Sequence, residues 1–187
     1  CISILVFSFS IFIAAYLPGD IVWILSAFTP FLALTLISET GRSEVYKMVE
    51  LEMVTAFSHK SILLARLGIL GVSHLILLCI LIPIGIMNSL YSPIATGLYI
   101  MTPFLLTTFI GLRLERTLRG HEAMYAYLGI TAFVSLAVLI SHFNFPNLFD
   151  ESYTPYWTIG TVLLCLGIEN QYLSIINRTE AFTWNSL

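Results

Sequence analysis

The sequence predicts an all-α polytopic membrane protein with six transmembrane helices and an amphipathic cytoplasmic helix between helices 2 and 3. The first observation is composition: of 187 residues, 58% are hydrophobic and 10% are charged, whereas soluble domains carry about 25% charged residues. The second is a series of six apolar runs, each close to the roughly 20 residues that a spanning helix needs. The third is that basic residues cluster at alternate links between these runs. Composition and the net charge of −3 therefore exclude a soluble enzyme, a disordered tail and a nucleic-acid-binding protein.

The six predicted spans form one transmembrane domain covering residues 1–187. Pro18-Gly19-Asp20 ends the first run, a short turn at 88–93 separates the third from the fourth, and an aromatic, proline-containing loop at 143–155 precedes the sixth. Cys1 opens directly on apolar sequence, so we expect a cytoplasmic segment ahead of it. The approximate spans are 1–17, 21–38, 62–87, 94–112, 123–142 and 156–176.

The basic residues predict the orientation, because Lys and Arg concentrate in cytoplasmic loops. They fall in the link after span two, at the start of span three, in the link after span four and in the tail, while the links after spans one, three and five contain none. We therefore expect a multi-pass protein of a cell membrane, in particular a bacterial plasma membrane, with both termini cytoplasmic. The eight residues are Arg42, Lys47, Lys60, Arg66, Arg113, Arg116, Arg119 and Arg178.

Motifs for catalysis and metal binding are missing from the sequence. No G-x-x-x-x-G-K-[ST] stretch is present to cradle a phosphate, and no G-x-S-x-G elbow is present to carry a nucleophile. His121-Glu122 begins like the zinc motif H-E-x-x-H, but Tyr125 stands where the second His is required. We therefore predict no catalytic residue, no metal site and no cofactor of its own in this chain.

Two polar positions inside apolar runs are candidate pathway residues. His74 lies in the third run, where an ionisable side chain indicates function by default; the alternative is a neutral His bonded across a helix interface. Glu169, Asn170 and Gln171 interrupt the sixth run near its cytoplasmic end. They line a polar cavity, hold a helix contact, or already reach the lipid headgroups. An intramembrane enzyme using His74 and Glu169 is a less favoured reading.

The link from 39 to 60 is too long and too regular for a plain loop. On a helix over 43–57, Tyr46, Val49, Met53 and Phe57 share one face. Surface helices that bind anionic lipid carry Lys and Arg on the polar face, but here the polar residues are mostly acidic, so a protein partner fits better. Glu44 and Lys47 lie opposite the apolar face, with Glu50 and Glu52 on its flanks.

This arrangement resembles the permease subunits of ABC-2-type exporters. Those permeases have six spans, both ends inside, and a cytoplasmic coupling helix between spans two and three. The stretch EVYKMVELEMVTAFSHKSILLAR over 44–66 is similar to their coupling helix and entry to span three. Glu50 or Glu52, Thr55, Ser58 and Arg66 match family positions, while Phe57 stands where the family often has Pro.

The resemblance implies a dimer of permeases, identical or paralogous, that exports a substrate and is driven by a separate ATPase subunit. ATP and Mg would be bound by that ATPase, and membrane lipid is the remaining partner. The loop at 143–155 would be a short re-entrant segment, or alternatively an aromatic belt at the interface. A six-span sensor or assembly scaffold that binds a cytosolic regulator is the alternative function. The residues implied to contact the ATPase are Glu44, Tyr46, Lys47, Val49, Glu50, Glu52, Met53 and Phe57.

Overall fold

The computed structural model describes most of the chain as helix. The described residues are 8–9, 11–12, 16, 21–40, 59–89, 91–115, 117–118, 121–145, 148 and 151–184. No strand occurs within these ranges, which confirms the all-helical class for the described part. The helices are α1 (Val22–Thr40), α2 (His59–Met87), α3 (Pro93–Glu115), α4 (His121–Asn144) and α5 (Thr154–Trp184), with a 3₁₀ turn (Glu151–Tyr153) before α5.

Three of these helices are long and apolar enough to cross a membrane, which supports a membrane protein. They contain the stretches Gly68–Met87, Pro93–Leu114 and Glu122–Asn144, and α1 carries a shorter apolar stretch, Val22–Thr35. The bounds of α1 to α4 lie within a few residues of the spans predicted at 21–38, 62–87, 94–112 and 123–142. Most of the predicted first span and all of the predicted helix at 43–57 lie outside the described residues.

Helix α5 runs farther than the span predicted from its hydropathy. The apolar run ends near 176, but the helix continues to Trp184. Hydropathy marks where the hydrocarbon ends, whereas a helix ends where a cap or a breaker stops it. Neither Gly nor Pro occurs between Ile168 and Trp184, so the polar end of the chain prolongs the helix.

Proline and serine define the start of α3. Pro93 is the first helical residue, a position where its missing N–H costs no hydrogen bond. The Ser92 hydroxyl accepts a hydrogen bond from the backbone N–H of Ala95 at 3.4 Å, as an N-cap residue does. The turn predicted at 88–93 is thereby followed at once by a membrane-length helix.

The contacts between helices fix their relative directions. Helix α1 packs against α2, α3 and α4, and α3 packs against α5. Early residues of α1 contact late residues of α2 and α4, so α1 is antiparallel to both. Early residues of α3 contact early residues of α5, and late residues contact late ones, so α3 and α5 are parallel. Helix α1 contacts α2 through Thr35–His74 and Leu25–Gly85. It contacts α4 through Trp23–His142 and Ala27–Ser135. Helix α3 contacts α5 through Thr102–Thr161 and Phe109–Gln171.

These directions bring the basic positions of the described helices to one end of the bundle. Lys60 and Arg66 lie near the start of α2, Arg113 near the end of α3, and Arg178 in the last part of α5. We call this the basic end, and the end where α1, α3 and α5 begin the opposite end. The alternation of basic links predicted from the sequence therefore corresponds to one common end in space for these four residues.

Two glycines let helices approach α3 closely. A Cβ at Gly85 of α2 would lie 2.7 Å from Cδ1 of Ile100, and one at Gly167 of α5 would lie 2.7 Å from Cε2 of Phe109. Both distances are below any normal carbon contact, so Gly85→Ala or Gly167→Ala would push a neighbour away. The core around these contacts includes Tyr99, which is 1% exposed and meets the Trp157 ring edge-on at 5.4 Å between centroids.

We predict that the basic end and the opposite end lie on different sides of the membrane. In a variant lacking Cys1, Cys79 and Cys165, Ser152→Cys should react with an impermeant maleimide added outside intact cells. Ser43→Cys should react only after the cells are permeabilised. Asn88→Cys is the control for the opposite end and Thr117→Cys for the basic end, since both positions are exposed. Labelling of positions 43 and 152 from the same side would contradict this topology.

Candidate functional site

Prolines inside α1 and α3 release backbone carbonyls that a regular helix would bond. Pro30 has no N–H for the carbonyl of Ser26, and Pro103 has none for the carbonyl of Tyr99. In a membrane, Ser and Thr side chains commonly satisfy such groups. Here the Thr29 hydroxyl donates to the Ser26 carbonyl at 2.9 Å, and the Ser26 hydroxyl donates to the Tyr99 carbonyl at 2.8 Å. The second bond joins α1 to α3.

Helix α1 forms a further side-chain hydrogen bond to each of two other helices. The Ser135 hydroxyl of α4 donates to the Ala27 carbonyl at 2.8 Å. The Thr35 hydroxyl lies 2.8 Å from Nε2 of His74 in α2. Together with the Ser26 bond, these contacts tie α1 to α2, α3 and α4. We call the six residues Ser26, Ala27, Thr35, His74, Tyr99 and Ser135 the polar hub.

His74 is enclosed between three helices. Its side chain is 2% exposed, and its ring lies 6.3 Å from that of Phe104 in a stacked orientation. Nδ1 lies 2.7 Å from the carbonyl oxygen of Leu70, one turn earlier in α2. Because a carbonyl oxygen only accepts, Nδ1 carries a proton in this arrangement. The remaining nitrogen, Nε2, faces the hydroxyl of Thr35.

The Thr35 hydroxyl links the His74 ring to the backbone of α1. Its oxygen lies 2.8 Å from Nε2 of His74 and 2.8 Å from the carbonyl of Leu32. One hydroxyl therefore connects α1 with α2 at this point.

Glu169, Asn170 and Gln171 take different environments on α5. Gln171 is 7% exposed, and its Nε2 donates to the carbonyl of Phe109 in α3 at 3.4 Å. Glu169 and Asn170 are exposed on the outer side of the described bundle. Of the open explanations, a helix contact is realised by Gln171. At 1.5 Å per residue, Glu169 lies about 22 Å along α5 from its first residue. Glu169 and Asn170 therefore face outward far from the start of the helix.

His74 and Glu169, the two ionisable candidates, lie in different environments. His74 is buried and its ring nitrogens face Thr35 and Leu70, whereas Glu169 is exposed. Among the described residues, no group of three or more His, Cys, Asp or Glu side chains is close enough to hold a metal ion. Cys79 and Cys165 are exposed and unbridged. The bonds of His74 to Thr35 and Leu70 support a helix-contact role in preference to acid–base chemistry with Glu169.

The predicted coupling residues cannot be located within the described part of the chain. Residues 41–58 fall outside it, but its flanks are defined, since α1 ends at Thr40 and α2 begins at His59. The segment therefore joins the basic ends of two helices that the polar hub connects. The residues concerned are Glu44, Tyr46, Lys47, Val49, Glu50, Glu52, Met53 and Phe57.

Sequence reasoning missed the residues that pair with His74 and those that bind the released carbonyls. A local signal existed at Thr29-Pro30, because a hydroxyl beside a helix proline commonly compensates for the lost bond. No local signal connects Ser26 with Tyr99 or Thr35 with His74, which are 73 and 39 positions apart. These pairings depend on how the helices are aligned in space.

Comparisons with protein-family models, curated proteins and solved structures find no match to this chain. The family resemblance therefore rests on the residues quoted above.

We predict that Thr35 and His74 stabilise each other. Hydrogen bonds between membrane helices contribute about 0.6 kcal/mol on average and up to about 1.7 kcal/mol. A double-mutant cycle with Thr35→Val and His74→Leu, measured by reversible unfolding in mixed micelles, should give a coupling energy in that range. Thr131→Val is the matched control, because Thr131 is also buried but its hydroxyl donates within α4 to the Tyr127 carbonyl. Equal coupling of His74 to positions 35 and 131 would argue against the bond.

Proposed function

We propose that this chain is the permease subunit of an ABC-type exporter, which forms part of a translocation pathway and is coupled to a separate ATPase subunit. The observation that carries the proposal is the sequence pattern of residues 43–57, in the link between α1 and α2. This segment has the acidic amphipathic pattern of a coupling helix, and it joins α1 to α2, which meet through Thr35 and His74.

The lengths and contacts of the flanking helices support a mechanical role. Helix α2 has 29 residues and so extends about 43 Å, longer than the roughly 30 Å hydrocarbon layer. A displacement at His59 acts on a helix that extends to Met87 at the opposite end, with Pro83 in its last turns. A displacement at Thr40 acts on α1, whose bonds at Ser26 and Ala27 reach α3 and α4. Movement of the link is thereby passed to four helices.

The proposed energy source is ATP hydrolysis in the partner subunit, which would bind ATP and Mg. The permease contributes a docking surface and no chemistry of its own. In the proposed complex the apolar stripe of the coupling helix rests partly on its own spans, and the flank with Glu50 and Glu52 faces basic or amide groups of the ATPase. Under this proposal the basic end faces the cytoplasm and both termini are cytoplasmic, in accord with the charge rule.

A second permease copy, identical or paralogous, completes the proposed pathway. Glu169 and Asn170 are exposed on a helix whose outer face is otherwise apolar, with Val162, Leu163 and Leu166 also exposed. Polar groups at membrane depth usually face protein or a water-filled cavity. The pair therefore supports a neighbouring subunit or a shared pathway beside α5. An active complex containing a single permease copy would contradict the pairing.

We predict that reversing the acidic flank uncouples the two subunits. Removing one member of a desolvated charge pair between proteins costs about 2–5 kcal/mol, which is more than a tenfold loss of affinity. Glu50→Lys combined with Glu52→Lys should abolish stimulation of the ATPase by the permease in proteoliposomes and should stop transport. The spans should still fold and insert, because both positions lie outside them.

Arg66→Lys provides the charge-conserving control. Position 66 lies near the basic end of α2, where a long cationic side chain reaches the headgroups, so the variant should keep at least half of wild-type coupling. Wild-type ATPase binding and transport after the double reversal would show that this segment is not the coupling element. The sensor or scaffold function would then be favoured.

A further inference from the structure

A cavity of about 190 Å³ lies between α3 and α4. Ser26 of α1 and Trp157 of α5 close its inner side, and Thr102 and Pro103 of α3 face Ala137 and Val138 of α4. None of the sequence-predicted pathway residues lines it. The cavity is therefore distinct from the setting of His74 and from the exposed positions 169 and 170.

Five polar residues line the cavity, among them Tyr99 and Ser141, and the other three donate their protons to partners outside it. The Ser26 hydroxyl donates to the Tyr99 carbonyl at 2.8 Å, and the Thr102 hydroxyl donates to the Leu98 carbonyl at 2.7 Å. The indole N–H of Trp157 donates to the Leu148 carbonyl at 2.9 Å. The surface that faces the cavity is therefore mostly carbon. Apolar cavities of this kind remain dry and take up apolar molecules.

The mouth of the cavity opens on faces of membrane-length helices. Leu106 of α3 is 36% exposed and Phe133 of α4 is 73% exposed, and both lie inside the stretches long enough to span a bilayer. The described part of the first run lies elsewhere, because Phe9 contacts the ring of Phe28 at 5.4 Å. Positions 26 and 28 are about 200° apart on a helix, so Phe9 packs on the side of α1 away from the cavity.

We propose that this cavity is a binding site for the acyl chain of a bilayer lipid. The surrounding medium at the mouth is hydrocarbon, so a chain enters without losing any hydrogen bond. The volume suits part of a chain, since a 150 Å³ apolar cavity already accommodates benzene, and it excludes a headgroup. Bound lipid fills the gap between α3 and α4, where packing of the described side chains is incomplete.

Trp157 is the reporter for the test, because its ring lines the cavity. A variant with Trp23→Phe and Trp184→Phe retains Trp157 as its single tryptophan. It is reconstituted in phosphatidylcholine vesicles whose acyl chains carry bromine, which quenches tryptophan at contact distance. Filling the cavity with Ala137→Phe should lower the quenching of Trp157 at least twofold. Ala137→Leu should give a smaller decrease and replaces the Phe variant if that variant does not insert.

The control is Leu136→Phe, which adds the same ring at an exposed neighbouring position on α4 that does not line the cavity. Its quenching should equal that of the parent. Equal quenching in the parent, the position-137 variants and the control would overturn the proposal, since only lipid outside the cavity would then reach Trp157. Loss of quenching at higher protein density in the same lipid would overturn it as well, because a second protein copy would then occupy the cavity.

Discussion

The carbonyl oxygen of Tyr99 is the constraint on which the arrangement of helices depends. Pro103 removes the hydrogen bond that this carbonyl would receive in a regular helix, and hydrocarbon offers no water to replace it. The Ser26 hydroxyl replaces it at 2.8 Å, which requires α1 to lie directly against α3. The antiparallel contacts of α1 with α2 and α4 follow from this position, and they add the bonds from His74 and Ser135.

The same bond explains two features that are otherwise unrelated. The Ser26–Tyr99 bond fixes α1 to α3 near the opposite end. Under the proposed function, a displacement of Thr40 would therefore be transmitted to α3. The bond also occupies the proton of Ser26, which would otherwise face the cavity between α3 and α4. The proposed transmission through α1 and the apolar character of the lipid site are thus consequences of how one backbone carbonyl is satisfied.

The sequence predicts what depends on composition and misses what depends on alignment between distant segments. Hydropathy located α1 to α4 within a few residues, because a boundary between apolar and polar residues is a local property. It ended α5 near 176, since it detects the edge of the hydrocarbon and not the helix end at Trp184. His74 was recognised as unusual, but its partner Thr35 is 39 positions away and is identified only when α1 and α2 are paired. The coupling residues at 43–57 stay a prediction, as does the six-span count.

The most direct measurement of the central claim is a double-mutant cycle between Ser26→Ala and Pro103→Ala, read as the free energy of unfolding in mixed micelles. In the native sequence, Ser26→Ala removes the hydrogen bond from the Ser26 hydroxyl to the buried Tyr99 carbonyl and should cost about 1–3 kcal/mol. With Pro103→Ala, the backbone N–H of residue 103 donates to the Tyr99 carbonyl within α3. In that background Ser26→Ala should cost only a few tenths of what it costs in the native sequence. An equal cost of Ser26→Ala in both backgrounds would contradict the account, because the hydroxyl would then not be compensating for the proline.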